Sequence, residues 1–132
     1  MGGAVVFIAS KNVLAPGKDF GAYSAAKAAE TQLARVLAIE NGEEGIRGNI
    51  IHPDGVFEGS GLWAEIKKER ARSHGIRAEA REKHYQNRNL MKVRVEAKDV
   101  AEAVAFFLSP RSAKTTGGML TVDGGLREAF PR

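Results

Sequence analysis

Cysteine is absent from the 132 residues of this chain, and long apolar runs are absent as well. Without cysteine the chain has neither a disulfide framework nor a thiolate metal site, which fits a reducing compartment. The longest apolar runs fall far below the roughly 20 residues that span a bilayer, and the first residues do not resemble a signal peptide. We therefore predict a cytoplasmic protein without a membrane-spanning segment.

Metal-ligating patterns are also scarce. The three histidines, His52, His74 and His84, are scattered and show no ligand spacing, so we predict no bound metal. Apolar residues make up 43% of the chain, which is enough for a packed core. The length is that of one domain.

Acidic residues are outnumbered, and the formal net charge is +4. The excess positive charge lies between Lys67 and Arg94 and could form a phosphate or nucleic-acid patch. The alternative is a solvated helical face, which we favour because Glu69, Glu79 and Glu82 are interleaved with the basic residues. No aromatic stacking platform accompanies the charge, and we predict no nucleic-acid partner.

The order of the predicted elements is strand, helix, strand, helices, strand. The apolar run Gly3–Ser10 is typical of a buried strand, and an alanine-rich helix follows at about Gly21–Asn41. A second strand is predicted at Ile46–Pro53, an amphipathic helix at Ala97–Leu108, and a third strand at Met119–Gly125. The first of these runs is typical of a strand that is buried on both faces.

The spacing of Tyr23 and Lys27 carries the strongest chemical signal. Residues four apart share a face of a helix, so the phenol and the ammonium are expected to be neighbours. A nearby cation favours the phenolate, which can exchange a proton with an alcohol or a carbonyl. Ser10, at the end of the first strand, could bind the same oxygen.

Two other interpretations compete with this one. A tyrosine four residues before a lysine is more often a half-buried aromatic side chain beside a solvated cation. A hydrolase built on Ser10, His52 and Asp54 can also be drawn. That triad is weakly supported, because no Gly-x-Ser-x-Gly elbow surrounds Ser10.

The wider context resembles the short-chain dehydrogenase/reductase family. The matching features, in chain order, are Ser10, the pair Tyr23 and Lys27, the strand end His52–Val56, and the closing motif Thr121–Gly125. Their order and spacing fit the family over essentially the whole chain. Further stretches are similar to one branch, the dehydrogenase portion of bifunctional rhamnulose-phosphate aldolase/short-chain dehydrogenases: Phe7–Asn12, Pro16–Tyr23, Pro53–Trp63 and Glu128–Arg132.

The resemblance implies an α/β fold with a partial Rossmann-like parallel sheet, formed by the C-terminal strands and helices of the family's domain. The family's N-terminal βαβ half, which binds the pyrophosphate at a glycine-rich turn, has no counterpart in the sequence. Residues 1–132 would thus be the C-terminal half of one domain. A lid-like helical insertion is expected at about residues 57–92, closing over the substrate.

The resemblance also implies roles for single residues. The catalytic residues would be Ser10, Tyr23 and Lys27, with Ser10 binding the substrate oxygen and Tyr23 exchanging its proton. The cofactor would be NAD or NADP, held by Tyr23, Lys27, Pro53 and Val56. The substrate would contact Asn12 and Trp63, although a single tryptophan on such a helix is more often part of the core.

Two departures from the family pattern bear on the cofactor. The family's usual glycine after the strand's proline is Asp54 here, and a threonine that often reaches the cofactor is replaced by Glu58. A carboxylate at the latter position would repel a phosphate.

We expect an oligomer, or a complex with the N-terminal half, because the first strand would lack one neighbour. Two functions remain open. One is an oxidoreductase acting on a small hydroxy or carbonyl compound, such as lactaldehyde or a sugar-derived alcohol, and inactive without the N-terminal half. The other is a non-catalytic assembly module that retains the family's oligomer surfaces.

Overall fold

The computed structural model describes residues 2–73 and 78–131. Within these ranges the strands are β1 (Gly3–Ile8), β2 (Ile46–Pro53) and β3 (Met119–Val122). The helices are α1 (Gly21–Asn41), α2 (Gly61–Ser73), α3 (Ala78–Arg88) and α4 (Ala97–Leu108). Single 3-10 turns lie at Lys11–Val13, Pro110–Ser112 and Arg127–Ala129.

The three strands form one parallel sheet in the order β1-β2-β3. Phe7 of β1 is opposite Ile50, and Ile51 is opposite Leu120 of β3. The predicted α/β fold with a parallel sheet is confirmed. Because the strands run in one direction, their carboxyl ends meet at one edge, where ligands bind in open sheets of this kind.

Helices cover both faces of the sheet, and β2 supplies the core on each side. Successive strand residues point to opposite faces. Ile50 packs with Ala34 of α1, whereas Ile51 packs with Ala103 and Phe107 of α4. Both isoleucines are completely buried. The amphipathic helix predicted at Ala97–Leu108 is confirmed.

The outer edge of β1 is unpaired among the described residues. Val5 and Ile8 keep 38% and 37% of their surface exposed, so β1 is not buried on both faces as its apolar sequence predicts. Among the described residues, β1 pairs only with β2. The exposed apolar face continues on α1, where Leu33 and Ile39 are 62% and 82% exposed.

The predicted lid begins after β2 and contains α2 and α3. Gly59 has a φ of +70°, a left-handed conformation that suits glycine, and the Ser60 hydroxyl accepts a hydrogen bond from the Trp63 amide at 3.3 Å. Residues 74–77, which include His74, lie outside the described residues.

Arg47 of β2 holds the end of α4 in place. Its guanidinium donates to the carbonyls of Phe107 and Ser112 at 3.0 Å each, to the Ser112 hydroxyl at 2.8 Å, and to the Ser109 carbonyl at 3.3 Å. These carbonyls belong to the last turn of α4 and the following 3-10 turn, where helix carbonyls lack internal partners. One side chain therefore satisfies several acceptors between β2 and α4.

His52 is the largest polar group inside the sheet. It is fully buried, and its Nε2 lies 3.3 Å from the Met119 sulfur on β3. Its Nδ1 has no hydrogen-bond partner among the described residues. Burial lowers the pKa of His52 below its ordinary value of 6.5, because the charged ring would lose its hydration. The polar backbone of Ser10 opposes this shift, and the charge of Arg35 adds to it.

We expect Arg47→Gln to lower the free energy of unfolding by about 2–3 kcal/mol, since hydrogen bonds from a charged donor are lost and buried carbonyls are left unpaired. Urea denaturation would measure the change. Arg111→Gln is the matched control, because Arg111 is exposed and its substitution removes the same charge. Equal loss in both variants would contradict the assigned role of Arg47.

We expect the free energy of unfolding to fall as pH drops below about 6.5, the unfolded pKa of histidine. The unfolded chain binds a proton that His52 in the folded chain refuses, so stability is complete above this pH. As the pH falls from there to the lower pKa of folded His52, this contribution to stability is lost, with a slope that approaches about 1.4 kcal/mol per pH unit.

Urea denaturation across this pH range would test the linkage. His52→Gln should remove the slope, and His84→Gln should preserve it because His84 is exposed. An unchanged slope in His52→Gln would show that another group causes the acid sensitivity.

Candidate active site

A cavity of about 130 Å³ opens at the carboxyl ends of β1 and β2. It lies between the loop after β1, the start of α1, and the segment that leads into α2. The fold brings six of the seven predicted site residues to its walls: Ser10, Asn12, Tyr23, Pro53, Val56 and Trp63. The seventh, Lys27, does not line it.

Ser10 is positioned by its neighbour Asn12. The Ser10 oxygen accepts hydrogen bonds from the Asn12 amide at 3.1 Å and from the Asn12 side-chain nitrogen at 3.3 Å. The Asn12 carbonyl oxygen accepts in turn from the Gly17 amide at 2.7 Å. Both contacts use the serine oxygen as an acceptor, so its proton can be donated to a ligand. Asn12 therefore orients Ser10 and closes the loop.

Tyr23 and Lys27 share a face of α1, but their polar groups do not meet. The Lys27 ammonium donates to the Ile8 carbonyl at 2.9 Å and to the Glu30 carboxylate at 3.0 Å. Tyr23 lies in the first turn, where its ring contacts Phe20 edge-on at 6.0 Å between centroids. The tyrosine faces the cavity, and the lysine connects α1 to the end of β1.

Asp54 forms a buried ion pair that the sequence pattern did not predict. The Arg88 guanidinium donates to both oxygens of the Asp54 carboxylate, at 2.7 and 2.6 Å. Asp54 is only 8% exposed, and burial raises the pKa of Asp54, while Arg88 and Lys11 act in the opposite direction. The residue that replaces the family's glycine is thus neutralised by α3.

An aromatic cluster links the lid to the cavity. Phe57 stacks on Trp63 at 4.5 Å, and Tyr85 of α3 meets both rings edge-on at 5.1 and 5.3 Å. Arg88 lies 3.9 Å from the centre of the Tyr85 ring. Gly55 permits this packing, because its φ is +67° and a Cβ there would lie 2.9 Å from the Tyr85 ring. Trp63 therefore lines the cavity as well as packing in the cluster.

Three contributors to the site were missed by sequence reasoning: Lys11, Tyr85 and Arg88. Each lies in a polar stretch that reads as a solvated surface. Tyr85 is the only tyrosine besides Tyr23. On α3, the residues Arg81, Tyr85 and Arg88 follow one another at helical spacing. That repeat was the available signal, since residues four and seven apart lie on one face.

The hydrolase alternative does not fit the geometry. The His52 ring is buried against Met119 rather than bonded to Ser10, and the Asp54 carboxylate is occupied by Arg88. A triad needs the base within hydrogen-bond reach of the nucleophile. The three residues therefore do not form one.

Residues 2–73 and 78–131 contain no group of three or more histidine, aspartate or glutamate side chains placed to hold a metal ion. None of the helices in these ranges combines the length and the apolar character needed to cross a bilayer.

The lining of the cavity suits the nicotinamide end of a dinucleotide, because the hydroxyl-bearing Ser10 and Tyr23 line it together with Pro53 and Val56. A glycine-rich turn for the pyrophosphate is a separate requirement, and the sequence contains no G-x-G-x-x-G pattern.

Sequence comparisons relate the chain to known oxidoreductases. A family model described as enoyl-(acyl carrier protein) reductase matches residues 1–127. The uncharacterized oxidoreductase YuxG of Bacillus subtilis (strain 168) is 48% identical over 99% of this chain and 19% of its own length.

Solved structures agree with the fold. A short chain dehydrogenase family protein from Francisella tularensis matches with a TM-score of 0.81 and 26% identity, over 92% of this chain and 49% of that one. The structure of 7α-hydroxysteroid dehydrogenase complexed with NADH and 7-oxo glycochenodeoxycholic acid matches with a TM-score of 0.77 and 26% identity, over 96% and 45%. The chain spans less than half of the length of each of these proteins. The matched region, the parallel sheet and the arrangement of Ser10 and Tyr23 show that the chain belongs to the short-chain dehydrogenase/reductase family.

Proposed function

We propose that this chain provides the catalytic part of an oxidoreductase that moves hydride between a nicotinamide cofactor and a small hydroxy or carbonyl compound. The cavity shared by Ser10, Tyr23, Pro53 and Val56 carries the proposal. It brings an alcohol donor and a phenol to one space at the edge of the sheet, where a substrate oxygen and a nicotinamide ring can both enter.

Ser10 would bind and orient the substrate oxygen. Its own oxygen is occupied by two donors from Asn12, so the hydroxyl hydrogen is directed away from them. A hydrogen bond to a carbonyl oxygen stabilises the negative charge that develops there during reduction. Asn12 acts as a positioning residue for this contact.

Tyr23 would exchange the proton with the substrate oxygen. In reduction its phenol donates the proton, and in oxidation the phenolate accepts it. A bound nicotinamide supplies or takes up the hydride. Lys27 lies one helical turn away, is anchored by the Ile8 carbonyl, and would hold the cofactor's ribose.

The two lid helices would close the site. Trp63, which stacks on Phe57, lines the cavity together with Tyr23 and would help to exclude water from the reacting atoms. Sequence-derived expectations for residues 57–92 as a lid, and for a lactaldehyde-like or sugar-derived substrate, belong to this proposal. So do the cytoplasmic location and the link with rhamnulose-phosphate aldolases.

The cofactor proposal is NAD or NADP, with the choice left open. The structure of 7α-hydroxysteroid dehydrogenase holds NADH, which supports a nicotinamide cofactor of some kind. Pro53 and Val56 would contact the nicotinamide, and Tyr23 and Lys27 its ribose. The exposed Glu58 lies beyond this cavity, so its carboxylate leaves the nicotinamide end unobstructed.

The alternative function is a non-catalytic assembly module. The free edge of β1 and the exposed apolar face of α1 favour it, since each can pair with another chain. These surfaces equally suit a complex with a second copy or with an N-terminal half of the family's domain. The two functions differ in whether Tyr23 is needed for any turnover.

We expect Tyr23→Phe to reduce hydride transfer by about 100- to 10,000-fold, because general acid–base catalysis is lost. The assay follows reduced-nicotinamide absorbance with the chain and a complementary N-terminal half of the family's domain. Ser24→Ala is the control: it removes a buried hydroxyl without a partner from the same helical turn. Full turnover in Tyr23→Phe would refute the mechanism, and unchanged assembly without turnover in every form would favour the module.

We expect the isolated chain to bind NADH and NADPH only at millimolar concentrations, because no glycine-rich turn holds the pyrophosphate. Calorimetric titration would measure this, before and after addition of the complementary half. Lys27→Ala should weaken the binding that appears after addition, with Lys114→Ala as an exposed control of equal charge. Saturable micromolar binding to the isolated chain would show that the described residues suffice.

A further inference from the structure

A second cavity, of about 430 Å³, opens beside the candidate active site. The two share a wall formed by Lys11, Asn12, Phe20, Trp63 and Tyr85. The two cavities therefore lie next to each other, with the same five residues contacting both spaces. We call this space the basic cavity, because its other walls carry Lys18, Arg81 and Arg88.

Positive charge dominates the basic cavity. Four cationic side chains line it, against the single carboxylate of Asp19. Arg88 is neutralised by Asp54, but no ion pair of Lys11, Lys18 or Arg81 occurs among the described residues. A solvated helical face would keep its cations apart and in water. Here they converge on one concave space.

Lys11 is the least ordinary of these cations. It is only 8% exposed, and its ammonium donates to the neutral Ala15 carbonyl at 3.1 Å. Burial lowers the pKa of Lys11 and the charge of Arg88 lowers it further, while the charges of Asp54 and Glu128 oppose the shift. Such a group is costly to keep charged without a partner. An anion in the cavity would offset that cost and use its remaining donors.

Arg81 is held at the opposite wall by an aromatic side chain. Its guanidinium lies 5.8 Å from the centre of the Trp63 ring. Stacking of this kind fixes the planar fork of an arginine and leaves its edge donors available to an oxyanion. Because Arg81, Tyr85 and Arg88 follow helical spacing, α3 presents all three to the same space.

We infer that the substrate carries an anionic group, a phosphate ester or a carboxylate, which binds in the basic cavity while its carbonyl meets Ser10 and Tyr23. This inference rests on the proposed function and narrows its substrate to an anionic sugar derivative or hydroxy acid, in place of the neutral lactaldehyde. Arg81, Lys18 and Lys11 would determine specificity. A neutral aldehyde or ketone would leave these cations without a partner, so the site would discriminate against it.

Three small carbonyl compounds with equal carbon count test the inference: dihydroxyacetone phosphate, hydroxypyruvate and neutral dihydroxyacetone. Calorimetric titration of the chain without cofactor would measure their dissociation constants. At least one anionic probe should bind about 10-fold or more tightly than dihydroxyacetone, with affinity falling as salt rises. Tighter binding of the phosphate identifies sugar phosphates as the class, and tighter binding of hydroxypyruvate identifies hydroxy acids.

Variants locate the binding. Arg81→Gln should weaken the preferred anionic probe about 10-fold and leave dihydroxyacetone unchanged. Lys83→Gln is the control, since Lys83 removes an equal charge from the same helix but lines a different cavity. Lys18→Gln, in an exposed loop position, provides a second variant whose folding is not at risk. Equal weakening by Arg81→Gln and Lys83→Gln would overturn the inference.

Failure of this inference can be told apart from failure of the proposed function. Equal affinity for all three probes, or no saturable binding of any, would overturn the anionic substrate class. Turnover of dihydroxyacetone in the separate assay, with nicotinamide cofactor and the complementary N-terminal half, would leave the oxidoreductase proposal standing. Conversely, selective anion binding without hydride transfer to any probe would support the basic cavity and count against the catalytic role.

Discussion

The parallel pairing of β1 with β2 is the constraint on which the site depends. Because the two strands end at the same edge of the sheet, Ser10 and Pro53 come to one place although 43 residues separate them in the sequence. The pairing itself is stabilised by β2, whose Ile50 and Ile51 are completely buried against helices on opposite faces. Loss of this register would move each side chain to the other face.

Around that edge, the loop after β1 and the helices α2 and α3 contribute polar and aromatic contacts. Asn12 orients Ser10, and the ion pair of Asp54 with Arg88 ties the end of β2 to α3. The second contact explains how a carboxylate is tolerated where the family usually has a glycine. The same salt bridge brings α3 close enough for Tyr85 to pack against Gly55. One departure from the family pattern is thus linked to the shape of both cavities.

The exposed apolar surfaces have a different physical origin. In a complete doubly wound sheet, an interior strand has neighbours on both sides. Here β1 has one neighbour among the described residues, and the outward face of α1 carries exposed leucine and isoleucine. Both surfaces follow from apolar sequence at positions that the described fold leaves uncovered, and both suit another polypeptide.

Local periodicity in the sequence predicts the element order and the bounds of α1, β2 and α4, whereas the parallel α/β class follows from the family resemblance. Helices α1 and α4 and strand β2 lie where apolar spacing predicts them. The sequence also pointed to Ser10, Tyr23, Pro53 and Trp63, through motifs short enough to read along the chain. The tertiary structure shows which of these residues line one cavity. It also shows that Lys27 donates a hydrogen bond to the Ile8 carbonyl, and that Lys11, Arg81 and Arg88 line the same basic cavity. Convergence of charges far apart in sequence depends on the packing of α3 against the sheet edge, and no local pattern encodes it.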